Sequence, residues 1–323
     1  MFRLLLVLLL LLPTGFAHAQ FSASDPLSIS LSPEYPRPYE TVVVTPSSTL
    51  IDLASAVVTV SVNGRLLSSD SGVQNIPVNV GGPGEKTTIG VTAKFGGKTY
   101  TKTLVLRPAD VSLVVEPVST SHPFYRGALY LAPQGRVRVI ALADLRSSVG
   151  SRISPNSLVY TWRFGNQILQ SESGIGKNIL TATGPMRYRD AQISVTVTNA
   201  DSSVVAGSTT LLKPVDPFIY IYRSAPLFGV DFDNALVGSY TLQGTEESFR
   251  GVPYFFGDVP DLAWSVGGQG SGSDKDVTVR TTGSAAGTAS LSLTARLAQT
   301  HQSVTKSLGI VFGSRKNSNV FGF

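Results

Sequence analysis

The sequence predicts an all-β chain built as three tandem β-sandwich domains. Short runs of alternating apolar and polar residues are separated by Gly, Pro, Asn, Asp and Ser, and no long stretch has helical spacing. One strand-and-turn unit also recurs. Val60-Ser61-Val62-Asn63-Gly64, Trp162-Arg163-Phe164-Gly165-Asn166 and Trp264-Ser265-Val266-Gly267-Gly268 stand at equal intervals of 102 residues. In each unit the first and third residues share a strand face, and the last two reverse the chain.

The segments beyond each turn recur as well. Gly72 and Gly174 lie twelve residues after their anchors, and Gly272 lies eight after Trp264. An alternating strand then begins 29, 31 or 27 residues after the anchor: Ile89, Val91, Ala93; Ile193, Val195, Val197; Leu291, Leu293, Ala295. The expectation is an anchor buried between two sheets, facing its aliphatic strand across the sandwich.

The chain opens with a basic lead, Met1-Phe2-Arg3, and an apolar run from Leu4 to Leu12. Pro13 and Gly15 break that run, and Ala17-His18-Ala19 places small residues at the cleavage subsites. Residues 1–19 read as a secretory signal peptide cut after Ala19. The nine apolar residues fall short of a spanning helix, which needs ~20. No Cys near the cut offers a lipid anchor. The product is expected to be exported: secreted, periplasmic or on the cell surface.

Domain one is expected over 20–107, opening at Pro26–Leu31, with further strands at Thr41–Thr45 and Thr99–Leu106. Pro108 opens domain two, 108–215, which begins on Val111–Val115 and ends on Thr209–Leu212. Domain three, 216–312, runs from Phe218–Tyr222 to Gly309–Phe312, and 313–323 reads as a flexible tail. Pro108, Pro214 and Pro217 stiffen the linkers, so a semi-rigid rod is expected.

Composition excludes several chemistries. The chain has no Cys, hence no disulfide, thiol nucleophile or thiolate metal site, and this argues mildly for a bacterial source. Net charge is +5, or +4 once Arg3 leaves with the leader, too little for about 300 residues to suggest nucleic acid. The charge is uneven. Residues 20–107 carry 7 basic and 6 acidic side chains, 108–215 carry 10 and 6, and 216–312 carry 6 and 9. In the basic middle domain, Arg136 and Arg138 alternate with Val137 and Val139, and Arg187 and Arg189 flank Tyr188. Guanidinium forks in that arrangement suit an acidic partner, either an anionic envelope polymer or the acidic third domain of another copy packed head to tail; an ordinary solvated sheet face is the competing reading.

The units resemble bacterial immunoglobulin-like domains of the PKD and fibronectin-III kind. More closely, the chain resembles secreted multi-Ig-like proteins of candidate-phyla bacteria such as Parcubacteria. The matching residues are Ser32-Pro33-Glu34-Tyr35-Pro36 with Val62-Asn63-Gly64; Pro123-Phe124-Tyr125-Arg126-Gly127 with Tyr160-Thr161-Trp162 and Ser173–Asn178; and Ala225-Pro226-Leu227-Phe228-Gly229 with Pro253-Tyr254-Phe255-Phe256. These are packing and turn motifs. The resemblance implies an immunoglobulin-like fold in a cell-envelope or type IV pilus setting, with no activity to carry over.

Catalytic signals are sparse. Beyond the leader the histidines are His122 and His301, in different domains and without a triad motif around either. Gly267–Gly272 is Gly-rich but is a hairpin tip rather than a phosphate loop, and Glu246-Glu247 point to opposite strand faces. Asp231, Asp233 and Asn234 are weak calcium candidates, with Asp258 or Asp261 as further oxygen donors; a solvated loop is the preferred reading. Two aromatic groups, Phe124-Tyr125-Tyr130 and Phe228-Phe232 with Tyr254–Phe256, suit either core packing at domain ends or sugar stacking. The expected function is therefore a non-enzymatic structural or binding protein without cofactor or membrane span. Its partner is a protein, an anionic envelope polymer or a second copy. A carbohydrate-binding module is the alternative, ahead of a hydrolase.

Overall fold

The computed structural model describes residues 25–72, 75–282 and 286–313. The expected leader and residues 314–323 of the expected tail lie outside the described residues. Among the described residues the regular structure is strand apart from three short 3-10 turns, and no helix is long and apolar enough to cross a membrane. The strands form six sheets in three successive pairs, which is a tandem array of immunoglobulin-like sandwiches.

The first pair contains β1 (Ser28–Ser32), β2 (Thr41–Ser47), β3 (Val57–Val62), β4 (Arg65–Ser71), β5 (Ile76–Asn79), β6 (Thr87–Phe95) and β7 (Lys98–Leu106), in orders β1-β2-β5 and β4-β3-β6-β7. The second contains β8 (Asp110–Pro117), β9 (Arg136–Asp144), β10 (Val159–Phe164), β11 (Gln167–Ile168), β12 (Gly174–Ile175), β13 (Ile179–Thr183), β14 (Ala191–Thr198) and β15 (Val205–Leu212). Its orders are β13-β9-β8 and β11-β10-β14-β15, with β12 also on β10. The third contains β16 (Phe218–Ala225), β17 (Gly229–Leu236), β18 (Ser239–Thr241), β19 (Glu246–Tyr254), β20 (Asp261–Val266), β21 (Gln269–Gly272), β22 (Asp276–Arg280), β23 (Gly287–Leu297) and β24 (Gln302–Phe312). Its orders are β17-β16-β19-β22 and β18-β24-β23-β20-β21.

Contacts divide the chain into two compact units. Of the described residues, the first holds 25–31, 43–72, 75–76 and 88–104; the second holds 32–42, 77–87, 105–282 and 286–313. In the first unit alternation does the work: Val58 and Val60 on β3 and Ile89, Val91 and Ala93 on β6 are buried, with Thr59, Gly90 and Thr92 between them on the other face. In the second unit one core joins Val137, Val139 and Leu180 to Tyr160, Trp162, Ile193 and Val195. A second core joins Ile221 and Phe249 to Trp264, Leu291, Leu293 and Ile310.

The recurring anchors sit at equivalent places. Val60, Trp162 and Trp264 are buried, while Val62, Phe164 and Val266 are half-buried. The expected partner across the sandwich is corrected. The aliphatic strand is the anchor's neighbour within the same sheet: Val60 pairs with Val91, Trp162 with Val195 and Trp264 with Leu293. Spacing alone does not separate a strand lying beside the anchor from one lying over it, because both present apolar residues to one core. Across the third sandwich, Trp264 instead meets the bare backbone of Gly251 on β19, where a Cβ would come within 2.9 Å of the indole Cζ2.

The recurring segment after the turn also has a physical role. The Trp162 indole N–H donates to the Lys177 carbonyl at 2.9 Å, and the Trp264 indole N–H donates to the Asp274 carbonyl at 2.9 Å. A buried indole needs such an acceptor, and the returning loop supplies it. Ser173 Oγ accepts the Trp162 backbone N–H at 2.9 Å, so this loop satisfies the strand as well as the ring.

Candidate functional site

The second unit carries a long segment, residues 118–135, between β8 and β9. It lies along the third pair of sheets. Thr120 accepts the Phe255 N–H at 2.8 Å and donates its own to the Phe256 carbonyl at 2.9 Å. Members of the two aromatic groups, separate in the sequence, thereby meet. Tyr125 lies 5.8 Å from Tyr254 and Tyr130 lies 4.9 Å from Phe255, both edge-on. Tyr254, Phe255 and Phe256 are buried. Inside the cluster the Tyr222 and Tyr254 hydroxyls share a hydrogen bond of 2.7 Å. Burial raises both phenol pKa values, that of Tyr254 far above the usual tyrosine range.

This pair makes stability depend on pH. In the unfolded chain these phenols lose their protons above pH 10.0, while in the folded chain they keep them. Stability from the pair is thus fully present below that pH and falls as pH rises above it. Tyr254→Phe should flatten the alkaline fall. It should also cost about 1–3 kcal/mol at neutral pH, because the Tyr222 hydroxyl loses its buried partner. Urea titrations at neutral and alkaline pH check both effects; an alkaline fall as steep in Tyr254→Phe as in the parent would contradict the assignment.

Beside this cluster stands the β16–β17 hairpin. Pro226 presets the turn, the Phe228 N–H donates to the Ala225 carbonyl at 3.3 Å, and Gly229 takes the left-handed φ of 76° that closes the ladder. The tip therefore lifts Leu227 and Phe228 into solvent, where they are 91% and 92% exposed. Behind it is a groove of about 510 Å³ lined by Phe124, Arg223, Phe228, Asp231, Phe232 and Asp233. Phe124 is 73% exposed, and its ring lies 6.0 Å from Phe232. His122 braces this wall: its ring stacks on Phe232 at 4.6 Å and its Nδ1 accepts the Phe124 N–H at 3.2 Å. Arg223 is tied to Glu247 at 3.2 Å, and Glu247 also accepts from Tyr240 at 3.0 Å. The groove is thus aromatic on its walls and acidic on β17.

The calcium candidates lie on this strand. Both Asp231 oxygens accept from the Asn234 amide, at 3.2 and 3.0 Å. Among the described residues no three His, Asp or Glu side chains come together as a metal cluster. The expected result is an unchanged melting temperature between calcium and chelator; a rise that grows with calcium concentration would mark binding to the native state. His301 stands at the β23–β24 turn with a left-handed φ of 53°.

The four arginines divide between two places. Arg136 and Arg138 project from the exposed face of β9 into a groove of about 500 Å³ with Glu116, Pro117, Val118 and Leu129. Arg138 Nε donates to Glu116 at 2.7 Å. Arg187 makes a bidentate pair with Asp216, at 2.7 and 2.6 Å, and lies over the Tyr188 ring. Arg189 is exposed on that same loop. Sequence reasoning misses the hydrophobic lining of the Arg136 groove, because Val118 and Leu129 fall in an irregular segment without periodicity. The tip does leave a signal, in Pro226 and Gly229 bracketing two large apolar residues.

No protein-family model and no curated protein matches this chain. Solved structures share its general build at low identity. The chain is 12% identical to Sidekick-1 immunoglobulin domains 1-5, covering 85% of this chain and 55% of that one at a TM-score of 0.32; it spans about half the length of that structure. It is 12% identical to the three N-terminal domains of the bacteriophage RB49 highly immunogenic outer capsid protein, covering 90% and 98% at 0.26. It is 13% identical to the central fibronectin-III array of RIM-binding protein, covering 89% and 96% at 0.27. Likenesses this distant carry no argument about function, and the fold is defined by the chain's own six paired sheets.

Proposed function

We propose that this chain is an exported, non-enzymatic binding or structural component of a bacterial cell envelope or surface appendage, acting through three immunoglobulin-like domains at 20–107, 108–215 and 216–312. The observation that carries the reading is the β16–β17 tip, where Leu227 and Phe228 are almost wholly exposed at the end of a hairpin that pairs Ser224 with Val230 and Ala225 with Gly229. Large apolar side chains grouped in solvent mark surfaces that meet something else, and loops held by a stiff scaffold are where binding residues concentrate. The leader-like residues 1–19 and the absence of Cys support export from a bacterium.

A saccharide-binding role is the second reading. It is favoured by Phe124 and Phe228 lining one groove with Asp231 and Asp233, since ring faces suit sugar C–H faces and carboxylates accept from sugar hydroxyls. The test is co-sedimentation of the purified chain from Gln20 onward with isolated envelopes and with protein-free envelope polysaccharide. The parent should sediment with envelopes, and Leu227→Ser/Phe228→Ser should remain in the supernatant with an unchanged melting curve. Loss on Phe124→Ser in the polysaccharide arm would favour the sugar reading. Equal sedimentation of parent and tip variant would overturn the role given to the tip.

A further inference from the structure

We infer that the β16–β17 tip of one copy seats in the Arg136–Arg138 groove of a second copy. The two surfaces are complementary in shape class and in charge. The tip offers Leu227 and Phe228 at 91% and 92% exposure, with Asp231 and Asp233 directly behind them on β17. No cation among the described residues is ion-paired to either carboxylate, and Arg223, the basic residue of that groove, is held by Glu247. The receiving groove has an apolar floor from Pro117, Val118, Leu129 and Val137, and Val118 is 45% exposed. Arg136 and Arg138 stand at its lip. Glu116 occupies Arg138, which leaves Arg136 without a carboxylate partner among the described residues.

An apolar plug backed by two carboxylates thus meets an apolar slot edged by a surplus guanidinium. The wider charge agrees: residues 108–215 carry 10 basic and 6 acidic side chains, while 216–312 carry 6 and 9. Long-range attraction of that sign orients the encounter, and desolvated apolar contact then holds it. Because tip and groove are different surfaces, the contact is heterologous, and every copy offers both halves.

The inference deepens the proposed structural role but is tested without any envelope, so the two can fail separately. Purified chain from Gln20 onward is examined by sedimentation equilibrium over a range of concentrations at low and high salt. At low ionic strength the average mass should rise with concentration. It should fall back toward the monomer in high salt, where the screening length shrinks to about 3 Å at 1 M. Leu227→Ser/Phe228→Ser and Arg136→Ser/Arg138→Ser should each weaken association about 30-fold or more, the effect of losing a hot-spot contact. Both should melt as the parent does.

Mixing the two variants is the decisive arm. The tip variant keeps an intact groove and the groove variant keeps an intact tip, so together they should form a one-to-one complex that neither forms alone. A parent that stays monomeric at every concentration would overturn the inference. So would association that survives in either variant, or a mixture that stays monomeric.

Discussion

Replacing Trp162 by Ala lowers the free energy of unfolding by about 3–5 kcal/mol. The indole is wholly buried in the core shared by β9, β10, β13 and β14. Removing it leaves a cavity and strands the Lys177 carbonyl that its N–H now satisfies at 2.9 Å. The urea midpoint should fall while the slope stays the same, since the surface exposed on unfolding barely changes. Trp264→Ala should behave alike, because its N–H bonds Asp274 with the same length, 2.9 Å. A loss below about 1 kcal/mol in either variant would mean that the ring is not a core element.

Adding a single methyl group at Gly251 costs about 1–3 kcal/mol. Gly251 lies on β19, facing Trp264 and Leu293 of the opposite sheet. A Cβ there overlaps the Leu293 methyl and comes within 2.9 Å of Trp264 Cζ2. Both neighbours are fully packed, so the strain has nowhere to go without tilting the indole off its Asp274 acceptor. Gly251→Ala should lower the melting temperature, and in the double variant Gly251→Ala/Leu293→Ala the combined loss should be smaller than the sum of the two single losses, because removing the Leu293 methyl makes room for the new one. Additive losses in the pair would place the strain elsewhere.

The strands and turns are largely legible in the sequence. Alternation exposes its own period, as in Arg136–Val139, and Asn63-Gly64 and Gly267-Gly268 carry the paired positive φ values that a tight hairpin needs: 51° and 79°, then 59° and 83°. Strand adjacency is not legible. Val91, Val195 and Leu293 could serve as neighbours of the anchor or as its ceiling, and only the ladder register decides between them. The aromatic residues illustrate a second limit. Phe124 and Tyr125 are consecutive, yet Tyr125 packs into the buried cluster while Phe124 is 73% exposed. That difference arises from how residues 118–135 lie along β16–β19, a contact between segments far apart in the chain. Spacing on single strands groups the arginines; the structure gives Arg187 a private carboxylate in Asp216 and leaves Arg136 open to a partner.

Repeated anchors at 102-residue intervals organise equivalent sandwiches. Tryptophan fluorescence reads it directly, because the chain holds only two Trp and both are anchors. Trp162→Phe and Trp264→Phe variants then report one site each. Both single-Trp proteins should emit at short wavelength and be quenched slowly by acrylamide, each until its domain unfolds in urea. Emission and quenching in native buffer that match those of the urea-unfolded chain, at either site, would contradict it.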